Sequence, residues 1–410
     1  MKNLLASLVA VAAFSTAYGQ NNSLSFSQNG NGNQAPVVTQ KGSANTGSIL
    51  VSGDNNSVFF EQVGHDQKGG IAITGSGNNA SVKTDHYQNE TFLTQVGNYN
   101  NGSVYALSRS DHNKISLNQS GDGNTGTAYA TNYSDNNRIS LTQSGTGNTG
   151  FAYAYLRSAH NQIGFTQNGT GNFGYARADN SDKSQISLTQ NGDGNNGSVT
   201  ATNSEKTRLN LIQDGNYNFG FVNAYQGEDN QASLSQIGNN NAGYAHSSVG
   251  INNETSVTQL GNGNLGYAYV ANGSNNQFSV TQTGNSNTGY AAAENGDLNW
   301  GRVTQTGDQN RAETHQSYGS QNEASITQVG SSNEAILYQR AGPLNTATVL
   351  QEGDGNRLRG LEADAPYDTR ALQLGSGNSL ALTQTGDGNT VQFRQFGNNN
   401  TANITQGPLN

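Results

Sequence analysis

The chain has 410 residues, of which 61 are Asn, 33 Gln and 53 Gly, with only 4 Pro and no Cys. Charged residues make up 11% and hydrophobic ones 32%, the net charge is -9, and the mean hydropathy is -0.70. This excludes a disulfide framework, a thiolate metal site and a Cys nucleophile. It leaves no basic patch for nucleic acid and too little apolar side chain for a conventional large core.

In chain order, the first element is a leader. Lys2 precedes an apolar run, Leu4 to Phe14, that is too short to span a bilayer, and Ala17-Tyr18-Gly19 offers small residues at a cleavage site. The expected organisation is a signal peptide over 1–19, atypical repeats over 20–94, regular repeats over 95–356, an irregular turn segment over 357–372, and closing repeats over 373–410. No later segment is apolar enough to insert in a membrane, so the expectation is an exported chain.

The repeat itself is Gln-x-Gly-x-x-Asn, which occurs 17 times. The Gln–Asn pairs that set the register are Gln95 with Asn100, Gln119 with Asn124, Gln143 with Asn148, Gln167 with Asn172, Gln190 with Asn195 and Gln213 with Asn218. They continue as Gln236 with Asn241, Gln259 with Asn264, Gln282 with Asn287, Gln305 with Asn310, Gln328 with Asn333 and Gln351 with Asn356. The step is 24 from Gln95 to Gln167, then 23 up to Gln351; it reads as 22 from Gln351 through Gln373 to Gln395. A register held over 300 residues marks a repeat architecture.

Each period divides into two strands and two turns. Before each Gln, apolar residues alternate with polar ones, as in Ile115 and Leu117, Ile139 and Leu141, Ile163 and Phe165, and Ile186 and Leu188. Gly-rich residues then supply the turn. A second alternating run follows with small residues on one parity (Gly126, Ala128, Ala130) and tyrosines on the other (Tyr129, Tyr153, Tyr175, Tyr244, Tyr267, Tyr290). Large residues of one strand should face small ones of the other in a thin, dry core, with the tyrosines outward. One such unit cannot bury its own face, so the units must stack. The expected fold is all-β: a two-sheet β-solenoid of strand-turn-strand repeats with about 22–24 residues per turn, amyloid-like and cross-β. At one position per turn, each Gln and each Asn can bond its copies above and below, forming amide ladders.

Little in the sequence suggests chemistry. The six His residues form no spaced pair. Gly-Asp-Gly-Asn at Asp122, Asp193, Asp354 and Asp387 fits a simple turn better than a calcium loop. Trp300 has outward parity. Lys114, Arg138 and Arg208 sit at outward positions as charges that oppose aggregation. We expect no catalysis, no cofactor and no metal.

These repeats resemble the curlin repeat of curli major subunits, Ser-x5-Gln-x-Gly-x-Gly-Asn-x-Ala-x3-Gln. Gln143, Gly145, Gly147 and Asn148 match its centre, as do Gln119, Gly121, Gly123 and Asn124. Its second Gln is matched at Gln316, Gln339, Gln384 and Gln406, while Ala130, Ala154 and Ala178 stand there in the middle of the chain; its leading Ser is often Asn, as at Asn113, Asn137 and Asn161. The resemblance spans about 24 to 406. It implies a secreted, self-polymerising subunit of extracellular amyloid fibres, exported through an outer-membrane pore and seeded by a nucleating minor subunit. Surface or matrix glycans are further expected partners. The competing reading is a monomeric secreted solenoid, either an adhesin or a binder of ice or carbohydrate.

Overall fold

The computed structural model describes residues 16–18, 21–361 and 370–408. The expected leader over 1–19 lies outside the described residues except for Thr16–Tyr18, whose backbone pairs with Thr39–Lys41. The described residues are all strand and turn, with no helix. They form two compact units, 1–157 and 158–410.

Each unit is a β-solenoid in which successive strands alternate between two parallel sheets. In the first unit one sheet, termed the front sheet, includes Glu90–Val96, Lys114–Asp122 and Arg138–Thr146; the back sheet includes Asn101–Leu107, Thr125–Thr131 and Thr149–Tyr155. Pairing is in register: Ile115 lies beside Ile139 and Gln119 beside Gln143 in front, and Ala128 beside Ala152 behind. The second unit repeats this from Gln162–Thr170 in front and Phe173–Asp179 behind. A parallel pairing at about 4.8 Å per turn makes every residue the neighbour of its own copy, which is why the sequence holds one residue type per column.

The period-two pattern fixes the interior. Ile115, Leu117, Ile139, Leu141, Ile163, Phe165, Ile186 and Leu188 are all buried, as are Ala128, Ala130, Ala176 and Ala178 opposite them. Turns hold their path through glycine: Gly238 has φ +115°, and a Cβ there would lie 2.1 Å from the carbonyl oxygen of Gly261 in the next turn. Only a residue without a Cβ tolerates both conditions.

Two expectations about the C-terminal repeats are corrected. Gln351 is followed in its ladder by Gln384, not Gln373, and Gln384 by Gln406. Gln373 and Gln395 lie on the back sheet, where they continue Gln316 and Gln339. The reason is an insertion. A back-sheet strand begins at Arg357–Arg359, the chain leaves it, and the strand resumes at Ala371–Leu374. Glu334 pairs with Arg357 and Ala335 with Leu358, then Leu337 pairs with Ala371. Residues 360–370 are thus set into one strand, and the apparent 22-residue step from Gln351 to Gln373 is half a turn plus that insertion. Residues 362–369 of the expected irregular segment lie outside the described residues.

Candidate functional site: interior amide ladders

The chemistry of this chain lies in columns of buried carboxamides. In the first unit Gln95 Nε2 donates to Gln119 Oε1 at 2.9 Å, and Gln119 Nε2 to Gln143 Oε1 at 2.9 Å. In the second unit the column runs through Gln167, Gln190, Gln213, Gln236, Gln259, Gln282, Gln305, Gln328 and Gln351, with each Nε2 donating to the next Oε1 at 2.8–3.0 Å. The second amide hydrogen is used locally. Gln119 Nε2 also lies 3.0 Å from the Asn124 carbonyl and 3.1 Å from that of Asn101, so it ties the turn and the back strand to the front strand. Buried polar groups are tolerated only when satisfied in this way.

The Gln column needs space, and a column of glycines on the back sheet supplies it. A Cβ on Gly126 would lie 2.8 Å from both Gln143 Oε1 and Leu117 Cδ1, and one on Gly197 would lie 3.0 Å from both Gln190 Nε2 and Gln213 Oε1. Where a Gln occupies the back sheet, the small residue moves to the front: a Cβ on Gly47 would lie 3.0 Å from Gln40 Nε2 and 3.0 Å from Phe60 Cε1. Interior volume is conserved while the identities exchange sheets.

The Asn column lies at the turn that enters the back sheet. Asn100 N and Nδ2 both donate to Asn78 Oδ1, at 2.9 and 3.1 Å, and Nδ2 also donates to Gly121 O at 2.7 Å. Asn124 and Asn148 repeat this in the first unit. In the second unit Asn195 bonds back to Asn172, and the column continues through Asn218, Asn241, Asn264, Asn287, Asn310, Asn333 and Asn356. The oxygens of the two columns have opposite sense: Gln Oε1 accepts from the N-terminal neighbour and Asn Oδ1 from the C-terminal one, while Asn Nδ2 donates to both sides.

Two further columns were not read as ladders from the sequence. One is an Asn column at the opposite turn, where Asn137 N donates to Asn113 Oδ1 at 2.9 Å, and Asn253, Asn276, Asn299, Asn322 and Asn345 continue likewise from Asn230. The 24-residue step of Asn113 and Asn137 was visible, but they stand where the family has Ser. The other is the back-sheet run Gln316, Gln339, Gln373 and Gln395, linked at 2.9–3.0 Å. Ladders leave orphans where they begin: Gln95 Oε1, beside Ile73, and Gln316 Oε1, beside Ala293, are buried without a partner.

The other sequence candidates are turn and surface residues. Asp122 Oδ1 accepts from Asn98 N at 2.8 Å, and Asp193, Asp354 and Asp387 accept similarly from Thr170, Ser331 and Asp354 N. Their carboxylates brace one turn against the preceding one. The tyrosines stack on the outer back face: Tyr129 on Tyr153 at 3.9 Å between ring centroids and Tyr244 on Tyr267 at 4.4 Å. Burial in that face pushes the Tyr290 hydroxyl up to about 12 and lowers the His246 imidazole below its usual value.

A family model, the curlin associated repeat, matches residues 227–261, 250–284, 296–330 and 372–407. No curated protein matches the chain. The matched segments carry the Gln column, the Asn columns and the two-sheet stacking described above, and these four matches, all in the C-terminal half, support a curlin-repeat assignment.

Proposed function

We propose that this chain is a non-catalytic structural subunit that polymerises into extracellular, curli-like amyloid fibres, serving adhesion and cell aggregation in a biofilm matrix. One observation carries the reading. Among the described residues, the edge strands Ser23–Asn29 and Thr401–Gln406 of the front sheet each pair on one side only, with Thr46–Ser52 and Ser379–Thr385. Such edges present unpaired N–H and C=O groups that template another strand. The front Gln column reaches the C-terminal edge at Gln406, whereas at the N-terminal edge Gln28 stands beside Val51. A copy added at the C-terminal edge extends that Gln ladder. The family resemblance supports export through an outer-membrane pore and seeding by a nucleating minor subunit; contact with surface or matrix glycans is a separate part of the proposal.

The test is negative-stain microscopy and fibre diffraction on the chain from residue 20 after removal of denaturant. Filaments with a meridional reflection near about 4.8 Å are expected from stacked strands. Ile404→Pro, which removes a donor from the edge strand, should block them. A strand-rich monomer that stays soluble at every concentration would refute the reading.

A further inference from the structure

We propose that the stacked pair Tyr129–Tyr153, on the outer face of the back sheet, is a site of oxidative dityrosine cross-linking that joins one turn of the solenoid covalently to the next. The two residues are paired in register on adjacent strands, so the backbone fixes their spacing. The rings lie 3.9 Å apart between centroids, with 27° between their planes. Both residues are half-buried, so neither is sealed from solvent or from a small oxidant. The front sheet carries Ser140 and Thr142 at its outward positions in the same turn. The aromatic column therefore belongs to one face and does not follow from strand propensity alone. Tyr244 and Tyr267 repeat the arrangement in the second unit, at 4.4 Å and 2°.

The chemistry balances with hydrogen peroxide as the oxidant. Each tyrosine gives up one electron and its phenolic proton to become a phenoxyl radical. The two radicals join through the ring carbons ortho to the oxygens, forming one C–C bond. Each of those carbons then loses its hydrogen as a proton while its oxygen regains one, restoring two phenols. The two electrons and two protons released in total reduce one peroxide to two waters. A radical on an isolated tyrosine must find a partner by diffusion. One on Tyr129 already has its partner in van der Waals contact, and pre-positioning of this kind favours the intramolecular product strongly.

The test treats the full chain with hydrogen peroxide and a haem peroxidase, dissolves it in denaturant and digests it with trypsin. Cleavage after Lys114, Arg138 and Arg157 places Tyr129 in peptide 115–138 and Tyr153 in peptide 139–157. The expected product joins these two peptides through Tyr129 and Tyr153. Its yield per chain should be unchanged by tenfold dilution, and it should be lost in Tyr129→Phe, in Tyr153→Phe and in chain oxidised while unfolded. Tyr133→Phe and Tyr155→Phe should leave it intact. Joining through Tyr133 or Tyr155, a yield that falls on dilution, an equal yield from unfolded chain, or oxidation confined to turn tyrosines such as Tyr99 would each overturn the proposal.

Discussion

The fit between the Gly column and the front-sheet side chains can be tested with one methyl group. A Cβ on Gly174 would lie 2.1 Å from Phe165 Cζ, 2.7 Å from Cε2 and 2.9 Å from Gln190 Oε1. Carbon atoms settle at about 3.5–4.0 Å, so the ring would have to retreat by roughly 1.5 Å. It has nowhere to go: Phe165 is 2% exposed and stacks in register on Leu188. Overpacking of this kind costs about 1–3 kcal/mol, which at 1.4 kcal/mol per decade is roughly 5- to 140-fold in the folded-to-unfolded ratio. The control is Gly164→Ala. Gly164 adjoins Phe165 on the opposite, outward parity, and a Cβ there meets nothing within 4 Å. That change should stay within about 0.5 kcal/mol. The assay is guanidinium unfolding of freshly prepared, non-fibrillar protein followed by circular dichroism. Phe165→Ala in the Gly174→Ala background should show a favourable coupling of at least about 0.5 kcal/mol, the range for residues in contact. Equal costs at Gly174 and Gly164, or purely additive losses in the double mutant, would refute the facing geometry.

Gln236→Ala removes the acceptor of Gln213 and the donor to Gln259 and to the Phe219 carbonyl. It leaves Gln259 Oε1 buried without a donor, so a loss of about 2–4 kcal/mol is expected in the same unfolding assay, from the stranded oxygen and the cavity together. In seeded elongation followed by light scattering, Gln406→Ala should slow growth more than Gln236→Ala, because Gln406 lies on the edge strand; equal rates would contradict edge templating. Deleting residues 360–370 should preserve the strand-rich spectrum and fibre formation. The two ends of the insertion already touch, with a Cβ on Gly360 falling 2.3 Å from the Arg370 carbonyl oxygen. Burial lowers the His246 imidazole, so the fold favours its neutral form. The unfolded chain then binds more protons in this range: stability is complete above the ordinary value of about 6.5 and declines as pH falls below it. Urea midpoints at pH 7.5 and 5.5 should differ less in His246→Gln than in the parent chain.

Most of the architecture was readable because stacking imposes two periods at once. Alternation within a strand told inside from outside, as at Ile139 and Leu141, and the 23-residue step told which residues become neighbours. What could not be read was the sheet to which a given Gln belongs. Gln373, Gln384 and Gln395 each open the same Gln-x-Gly-x-x-Asn half-turn, eleven residues apart, and front and back half-turns are locally equivalent. Only the pairing of Gln351 with Gln384 and of Gln339 with Gln373 assigns them. The opposite-turn column of Asn113 and Asn137 was hidden for a related reason, since a polar residue that follows Ser and Asp reads first as a solvated turn. The glycines were visible as small residues, but that they make room for amides as well as for Leu117 or Phe165 emerged only from the distances.

The opposed sense of the Gln and Asn columns has an electrostatic consequence. In an α-helix the peptide dipoles add along the axis and leave partial charges at the ends. Here the Gln oxygens face the N-terminal turn and the Asn oxygens the C-terminal one, so the two kinds of ladder do not simply add along the stack. Each cross-section nevertheless has two unlike faces. One offers Gln N–H groups with Asn oxygens, and the other offers Gln oxygens with Asn backbone N–H groups, while the Asn Nδ2 groups reach both. A stack broken at any turn exposes a complementary pair of surfaces that match only head to tail, so annealing of fragments has a built-in direction.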